Sequence, residues 1–390
     1  MTIEIGNLDA RNLWLSTQGL AKTPTGNLDT ISIIKQLGFV QLDTIQVVSR
    51  AHHHIIWSRN QNYREPMLNT LLARERQIFE HFTHDASVIP MDYLPMWQRQ
   101  FRRKKEQLDR SSWFNGMTNK AGREAIRKRI ENEGSLSTHS FDTKVAGAKK
   151  MWARPPHKLA LDYMWYTGEL ATCHRVNFTK YYNIAERVFP AQLHDQGVAD
   201  EEQIDWLCMS ALERLGVGTL REIQEFWDAV STKEVNAWSE RAMASLAKVE
   251  IQSADGSWTS TYAPRDIESR LSELKTPTSR LRILNPFDPA VRNRKRLSRL
   301  FGFDYRVEMF VPAPQRLWGY YVYPLLEGSR FVGRIEVKAD RKTGTLNVLN
   351  VWLENGVKWT PLRSNKLDAE LVRLGKLASC ETIDWQCPTP

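Results

Sequence analysis

A loose pattern recurs three times in the first two thirds of this chain. It consists of an amphipathic helical stretch, a glycine, a short extended step and a second helical stretch. It appears as IIKQLGFVQLDTIQVV around Gly38, as IRKRIENEGSLSTHSF around Gly134, and as ALERLGVGTLREIQEF around Gly216 and Gly218. Glycine ends a helix without strain because it accepts the left-handed backbone of the cap. Asp43, Ser137 and Thr219 then stand where a following helix wants a side-chain oxygen on its first amides. This is helix-turn-helix grammar, and its repetition limits the fold more than composition does.

A longer helical pattern and then a β segment come after the second and third units. After the second come HKLALDYMWYTGELATCHR and NFTKYYNIAERVF; after the third come TKEVNAWSERAMASLAK and VEIQSADGSWTSTYAP. Asp255-Gly256 is a two-residue hairpin signal. Helix, turn, helix, helix and hairpin describe a winged helix. From about residue 281 the texture becomes β: GYYVYPLL, RFVGRIEVKAD and TLNVLNVWLENG read as strands of a meander or small barrel, with turns at Glu327-Gly328-Ser329 and Lys342-Thr343-Gly344. The expected class is α+β, with tandem winged-helix units and a C-terminal β-rich unit. The expected divisions are 1–95, 96–195 (the basic unit), 196–265 (with the hairpin) and 281–390. Helix-turn-helix units also build purely structural arrays, so the pattern alone does not establish DNA binding.

Charge narrows the partner. The net charge is +9, but it is concentrated: from Trp97 to Lys158 there are 16 Lys or Arg against 6 Asp or Glu. WQRQFRRKKEQ holds Arg99, Arg102, Arg103, Lys104 and Lys105. Further clusters are Arg123, Arg127, Lys128 and Arg129, then Lys144, Lys149, Lys150 and Arg154, and far away Arg292, Arg294, Lys295, Arg296 and Arg299. A localised basic block suits a phosphate backbone, since each cation placed on a phosphate releases counterions. A solvated helix face or an acidic partner would use the same residues. The four cysteines include no CxxC pair and fit a reducing compartment. Glu4 and Asp9 at the N-terminus argue against a signal peptide, and no apolar run is long enough for a membrane span.

Gln41-Leu42-Asp43 lies just beyond Gly38 as an extended run, so Gln41 and Asp43 project to one side. The plain reading is a helix cap beside a surface glutamine. The next segment, VVSRAHHHIIWSR, carries His52, His53 and His54 in succession. Helical neighbours point about 100° apart, so the three cannot share one metal; one or two suit contacts to a phosphate or a base. No P-loop, GxSxG elbow or paired-cysteine site is present. Glu336-Val337-Lys338, with Asp288 upstream in Asn-Pro-Phe-Asp-Pro, offers the carboxylates and lysine of a metal-dependent nuclease, or simply the solvent face of a strand.

QLDTIQVVSRAHHHIIWSR, the basic segment after it, and LNPFDPAVRNRKRLSRLFGFDYRVEMFVPAPQRLWGYYVYPLLEGSRFVGRIEVKADRKTG together resemble the winged-helix DNA glycosylases of the AlkZ and YcaQ type. The resemblance runs through most of the chain. It implies tandem winged helices, removal of N7-alkylated guanine from double-stranded DNA, and unhooking of nitrogen-mustard-type interstrand crosslinks. The active-site motif in that family is Gln, an aliphatic residue, then Gln or Asp; here it is Gln41-Leu42-Asp43, and Asp at the third position resembles the YcaQ-like branch. By that branch, simple N7-alkylguanines are expected as substrates beside crosslinks. The candidate catalytic residues are Gln41 and Asp43. The candidate DNA contacts are Arg50, His52, His53, Arg59, Arg102, Arg103, Lys104, Arg127, Lys149 and Lys150.

The chemistry behind that expectation is simple. Alkylation at N7 gives guanine a positive charge, so the base leaves readily and the sugar becomes oxocarbenium-like. A carboxylate near C1′ stabilises that charge and assists a water, and a carboxamide positions the water. No lysine nucleophile, metal or cofactor is called for, so the expected enzyme is monofunctional. No membrane and no obligate protein partner is expected, and the expected location is the cytoplasm, at the nucleoid. A non-enzymatic winged-helix regulator and the metal-dependent nuclease are the alternatives.

Overall fold

Several helices of this chain start on small polar residues and several stop on glycines, as a computed structural model describing residues 3–143 and 154–389 shows. The first repeat begins with the Thr30–Leu37 helix. Asp29 caps it by accepting the Ser32 amide at 3.0 Å. It stops at Gly38, whose φ of 85° lets its amide turn back onto the Ile34 carbonyl at 2.8 Å. Val40–Gln41 is then extended, as expected.

The next helix does not begin at Asp43. It spans Ala51–Trp57, with Arg50 at its N-cap. Asp43 instead accepts the Ile45 amide on Oδ1 at 2.6 Å, an Asx turn. The physical reason lies in Thr44, Ile45, Val47 and Val48, which prefer extended backbone and delay the helix by two turns.

The third repeat forms as expected, whereas in the second a single turn stands where its second helix was expected. Asn119 caps the Lys120–Glu133 helix, which ends at Gly134, and Ser137 caps a single turn, Thr138–Ser140. The Asp200–Leu215 helix ends at Gly216, with φ 72°. Thr219 and Glu222 then cap each other reciprocally, amide to side chain, at 2.9 and 3.2 Å. Helix Thr232–Arg241 comes next on a full Ser231/Glu234 capping box, and then a hairpin, Leu246–Gln252 with Trp258–Pro264.

The chain is α+β, and it separates into two compact units. One comprises Met1–Glu65, Cys208–Phe226 and Ser231–Pro390; the other comprises Pro66–Leu207 and Trp227–Val230. Residues 1–95 therefore contribute to both. In the first unit, strand Ile3–Ile5 runs parallel to Leu246–Gln252, completing a three-stranded sheet with the hairpin.

The C-terminal sheet has five strands in the order Leu281–Ile283, Val322–Glu327, Arg330–Asp340, Thr345–Leu353 and Thr382–Trp385. All its pairs are antiparallel except the last, which is parallel. A parallel pair needs a crossover, and helix Pro361–Leu377 supplies it, burying Leu367, Leu371 and Leu374. The β texture of the sequence did not predict this helix. An apolar cluster including Leu15, Leu20, Leu284, Val291, Leu297, Phe303 and Phe331 joins the N-terminal helix to the residues around this sheet.

The second unit holds the antiparallel pair Ile78–Phe82 with Ala86–Pro90, helix Gln98–Asp109, helix Lys120–Glu133 and helix Pro156–Tyr166. Its three-stranded sheet orders Leu136–Ser137, Thr179–Ile184 and Leu170–Val176. The hairpin between the two longer strands turns on Asn177 and Phe178, both at positive φ; without a glycine, the turn was not legible in advance. Ile126, Ile130, Leu159, Tyr163, Met164 and Leu170 form the core.

Candidate active site

Extended backbone at Val40–Gln41 and the Asx turn after it decide where the motif points. Gln41 is 8% exposed and Leu42 5%, while Asp43 is half-buried. One Asp43 oxygen is tied to the Ile45 amide, which fixes the direction of the carboxylate. The Asp43 amide faces His52 Nδ1 across 3.5 Å, a long contact that makes this ring nitrogen the acceptor.

Tyr321, at the edge of the C-terminal sheet, shares this neighbourhood. Burial raises its phenol pKa, and the charge of Asp43 acts in the same direction, against a bond to Asn285. The Tyr321 hydroxyl donates to Asn285 Oδ1 at 3.4 Å. Neither Tyr321 nor Asn285 was a sequence candidate. The signals available were the tyrosine run Tyr320, Tyr321, Tyr323 and the asparagine opening Asn-Pro-Phe-Asp-Pro.

The three histidines lie inside. His52 is 2% exposed, and its ring centre lies 4.1 Å from that of His53. His53 Nδ1 takes the Tyr63 hydroxyl at 2.8 Å, and its Nε2 faces Glu65 at 3.6 Å. Burial nevertheless pulls the pKa of His53 down to about 4, against the attraction of Glu65. His54 Nε2 donates to the Ile283 carbonyl at 2.9 Å, and burial likewise holds its pKa at about 4. All three are occupied with the interior. The expectation that His52 and His53 reach DNA is corrected, because both side chains are buried.

Arg59 is corrected as well. Its guanidinium is buried and grips the Asp288 carboxylate with both NH groups while Nε donates to the Gln18 carbonyl at 3.0 Å. Asp288 also caps helix Pro289–Arg292 through the Ala290 amide at 2.9 Å. A carboxylate committed to a buried arginine and a helix end is no metal ligand. Among the described residues, no group of three or more His, Cys, Asp or Glu could hold a metal ion. The nuclease reading thus loses Asp288 and has no cluster among those residues to replace it. Arg50 is half-buried at the start of the histidine helix.

In the second unit the basic helix is largely neutralised. Arg102 is ion-paired with Asp200, although its side chain is 56% exposed. Arg103 donates to the Asp228 carbonyl at 2.6 Å. Lys104 is 8% exposed, lies 3.7 Å from the Asp228 carboxylate and sits over the Phe82 ring. Arg127 pairs with Glu131 at 3.0 Å and with Glu186 at 2.9 Å. Lys104 is thus ion-paired inside the unit, and Arg103 is hydrogen-bonded there. Lys149 and Lys150 lie outside the described residues. The Asp255-Gly256 turn forms as expected, and Trp258 beside it is 47% exposed. Among the described residues, no helix is long and apolar enough to cross a membrane.

The arrangement brings together a half-buried carboxylate, an imidazole and a tyrosine, a set suited to steadying positive charge and aligning a water. Among solved structures the chain is similar to the Streptomyces sahachiroi DNA glycosylase AlkZ, at 12% identity and a TM-score of 0.65, with 98% of this chain and 99% of that chain covered. At that identity the likeness speaks for the fold. The family model for AlkZ-like DNA glycosylases matches residues 34–377, and the chain belongs to that family.

Proposed function

We propose that this DNA glycosylase excises N7-alkylguanine and unhooks nitrogen-mustard-type interstrand crosslinks, with Asp43 and Gln41 as its catalytic residues. The observation that carries the reading is the Asx turn. It fixes the half-buried Asp43 carboxylate while the Asp43 amide faces His52, in a chain whose family breaks N-glycosidic bonds. Asp43 stabilises the developing charge at C1′ and takes the proton of the attacking water. Gln41 orients that water, being able both to donate and to accept. Water is the nucleophile, so the product is an abasic site with the strand intact.

A crosslinked guanine is tethered to the opposite strand and cannot swing into a deep pocket. A carboxylate on a half-exposed turn suits such a substrate. The reading of 1–95, 96–195 and 196–265 as winged-helix units serving a β-rich 281–390, and action on the nucleoid, belong to the same proposal. So does a backbone role for Arg50, Arg102 and the Lys149–Lys150 pair.

The test uses purified protein in EDTA with two duplexes, one carrying N7-methylguanine and one an N7–N7 mustard crosslink. Alkali-dependent cleavage that vanishes in Asp43→Asn is the expected result. Strand breaks appearing only with Mg²⁺, or full turnover by Asp43→Asn, would overturn it.

A further inference from the structure

Phe310 is 85% exposed, Leu317 73% and Tyr320 40%. Among the described residues no other stretch of this length exposes three large apolar side chains. They lie on the loop from Phe303 to Tyr321, which has little regular structure beyond one turn at Ala313–Gln315.

The loop is nevertheless held firmly at its base. The buried Glu308 carboxylate accepts the amides of Trp318 and Gly319 at 2.8 and 3.3 Å. The Trp318 ring lies 4.2 Å under the Arg334 guanidinium and 5.6 Å from the Trp352 ring. Gly319 has φ 146°, and a Cβ there would come within 2.7 Å of the Glu336 carboxylate, so only glycine fits. Inside the loop, Arg316 Nε donates to the Val311 carbonyl at 2.9 Å and its guanidinium covers the Tyr320 ring. Pro312 and Pro314 stiffen the tip. The apolar residues are thus presented outward by a pre-organised frame, and the next residue in the chain is Tyr321, which feels the charge of Asp43.

We propose that this loop is a wedge: Phe310 and Leu317 enter the base stack of duplex DNA beside the lesion. The inference rests on Asp43 as the reacting carboxylate. A tethered guanine cannot be drawn far out, so the duplex must be opened from outside, and an apolar side chain on a stiff loop replaces the stacking that is lost. Arg306, with its side chain 52% exposed, and Arg316 flank the apolar tip and suit a polyanion. A net charge of +9 favours DNA over a second copy of the chain as the occupant.

The test titrates full-length Asp43→Asn protein, which leaves the lesion intact, into a duplex with 2-aminopurine beside N7-methylguanine. A second titration adds Phe310→Ala and Leu317→Ala. Fluorescence is expected to rise several-fold at saturation with the intact loop and to stay flat with the double variant. The Kd of that variant is expected to rise about tenfold with the same salt slope, since no ion pair has been removed. Both side chains are exposed, so an unchanged melting temperature reports that the variant is folded.

A flat signal with the intact loop at saturation, or unstacking by the double variant, would overturn the wedge. So would concentration-dependent dimers, seen by light scattering, that disappear in the double variant, since a second copy would then cover the loop. Excision by the wild-type protein is scored separately. Loop-dependent fluorescence without excision would end the Asp43 reading alone, and excision without it would end the wedge alone.

Discussion

In the first unit, the segment 41–65 turns polar side chains inward. His53 meets Tyr63 and Glu65, His54 meets a carbonyl, and Arg59 meets Asp288, leaving Asp43 half-open beside them. In the second unit, helix Gln98–Asp109 keeps most of its charge near the surface and cancels it against Asp200, Asp228 and Asp109. The polar interior of the first region surrounds the tied Asp43 turn. The basic exterior of the second is mostly paired within its own unit. A run of like charge in sequence is therefore a poor guide to the field a partner meets.

Four measurements can break or sharpen that contrast. The largest expected effect is on catalysis. Asp43→Asn should slow excision about 10³-fold, about 4 kcal/mol of transition-state stabilisation, with DNA affinity held within a few fold. Single-turnover kinetics and a binding isotherm together check it, and a loss of affinity as large as the loss of rate would make Asp43 a binding residue.

Next comes the buried pair. Arg59→Ala should cost about 3–5 kcal/mol in urea unfolding, because it strands the Asp288 carboxylate. Arg59→Met combined with Asp288→Leu should recover much of that. Equal losses in the two proteins would mean that packing rather than charge is at stake.

The third measurement is of pH. The folded pKa values of His53 and His54 are depressed to about 4, and that of His81 in the second unit to about 3. The unfolded chain therefore binds protons first, near the ordinary histidine value of about 6.5. Stability is full above about pH 6.5 and falls as pH drops towards 4, by about 2 kcal/mol per histidine on reaching pH 5. Urea unfolding at pH 7 and pH 5 measures the drop. His54→Asn should lessen it, and an unchanged drop would mean that the other groups carry it.

The smallest effect tests the neutralised helix. Asp200→Asn releases Arg102, so DNA affinity should rise by less than tenfold and the log–log salt slope should steepen by about one. The variant should unfold within about 0.5 kcal/mol of the parent, as an exposed pair allows. An unchanged salt slope would remove Arg102 from the DNA-facing surface.

Several elements were legible in the sequence because their causes are local. Gly38, Gly134 and Gly216 stop helices, Ser137 and Thr219 cap the helical turns after them, and Asp255-Gly256 closes a hairpin, each within a few residues of its own backbone. The Gln41-Leu42-Asp43 motif was visible for the same reason, and it lies within residues 34–377, which the family model matches.

Tertiary structure alone decided the rest. It moved the histidine helix to Ala51, brought Tyr321 and Asn285 from across the chain towards Asp43, and buried Arg59 on a carboxylate 229 residues away. It also paired the basic segment with Asp200, Asp228 and Glu186, all outside the window in which its charge was counted. Backbone caps and turns are set by neighbours in sequence. Burial, and the partner that each charge finds, are set by neighbours in space.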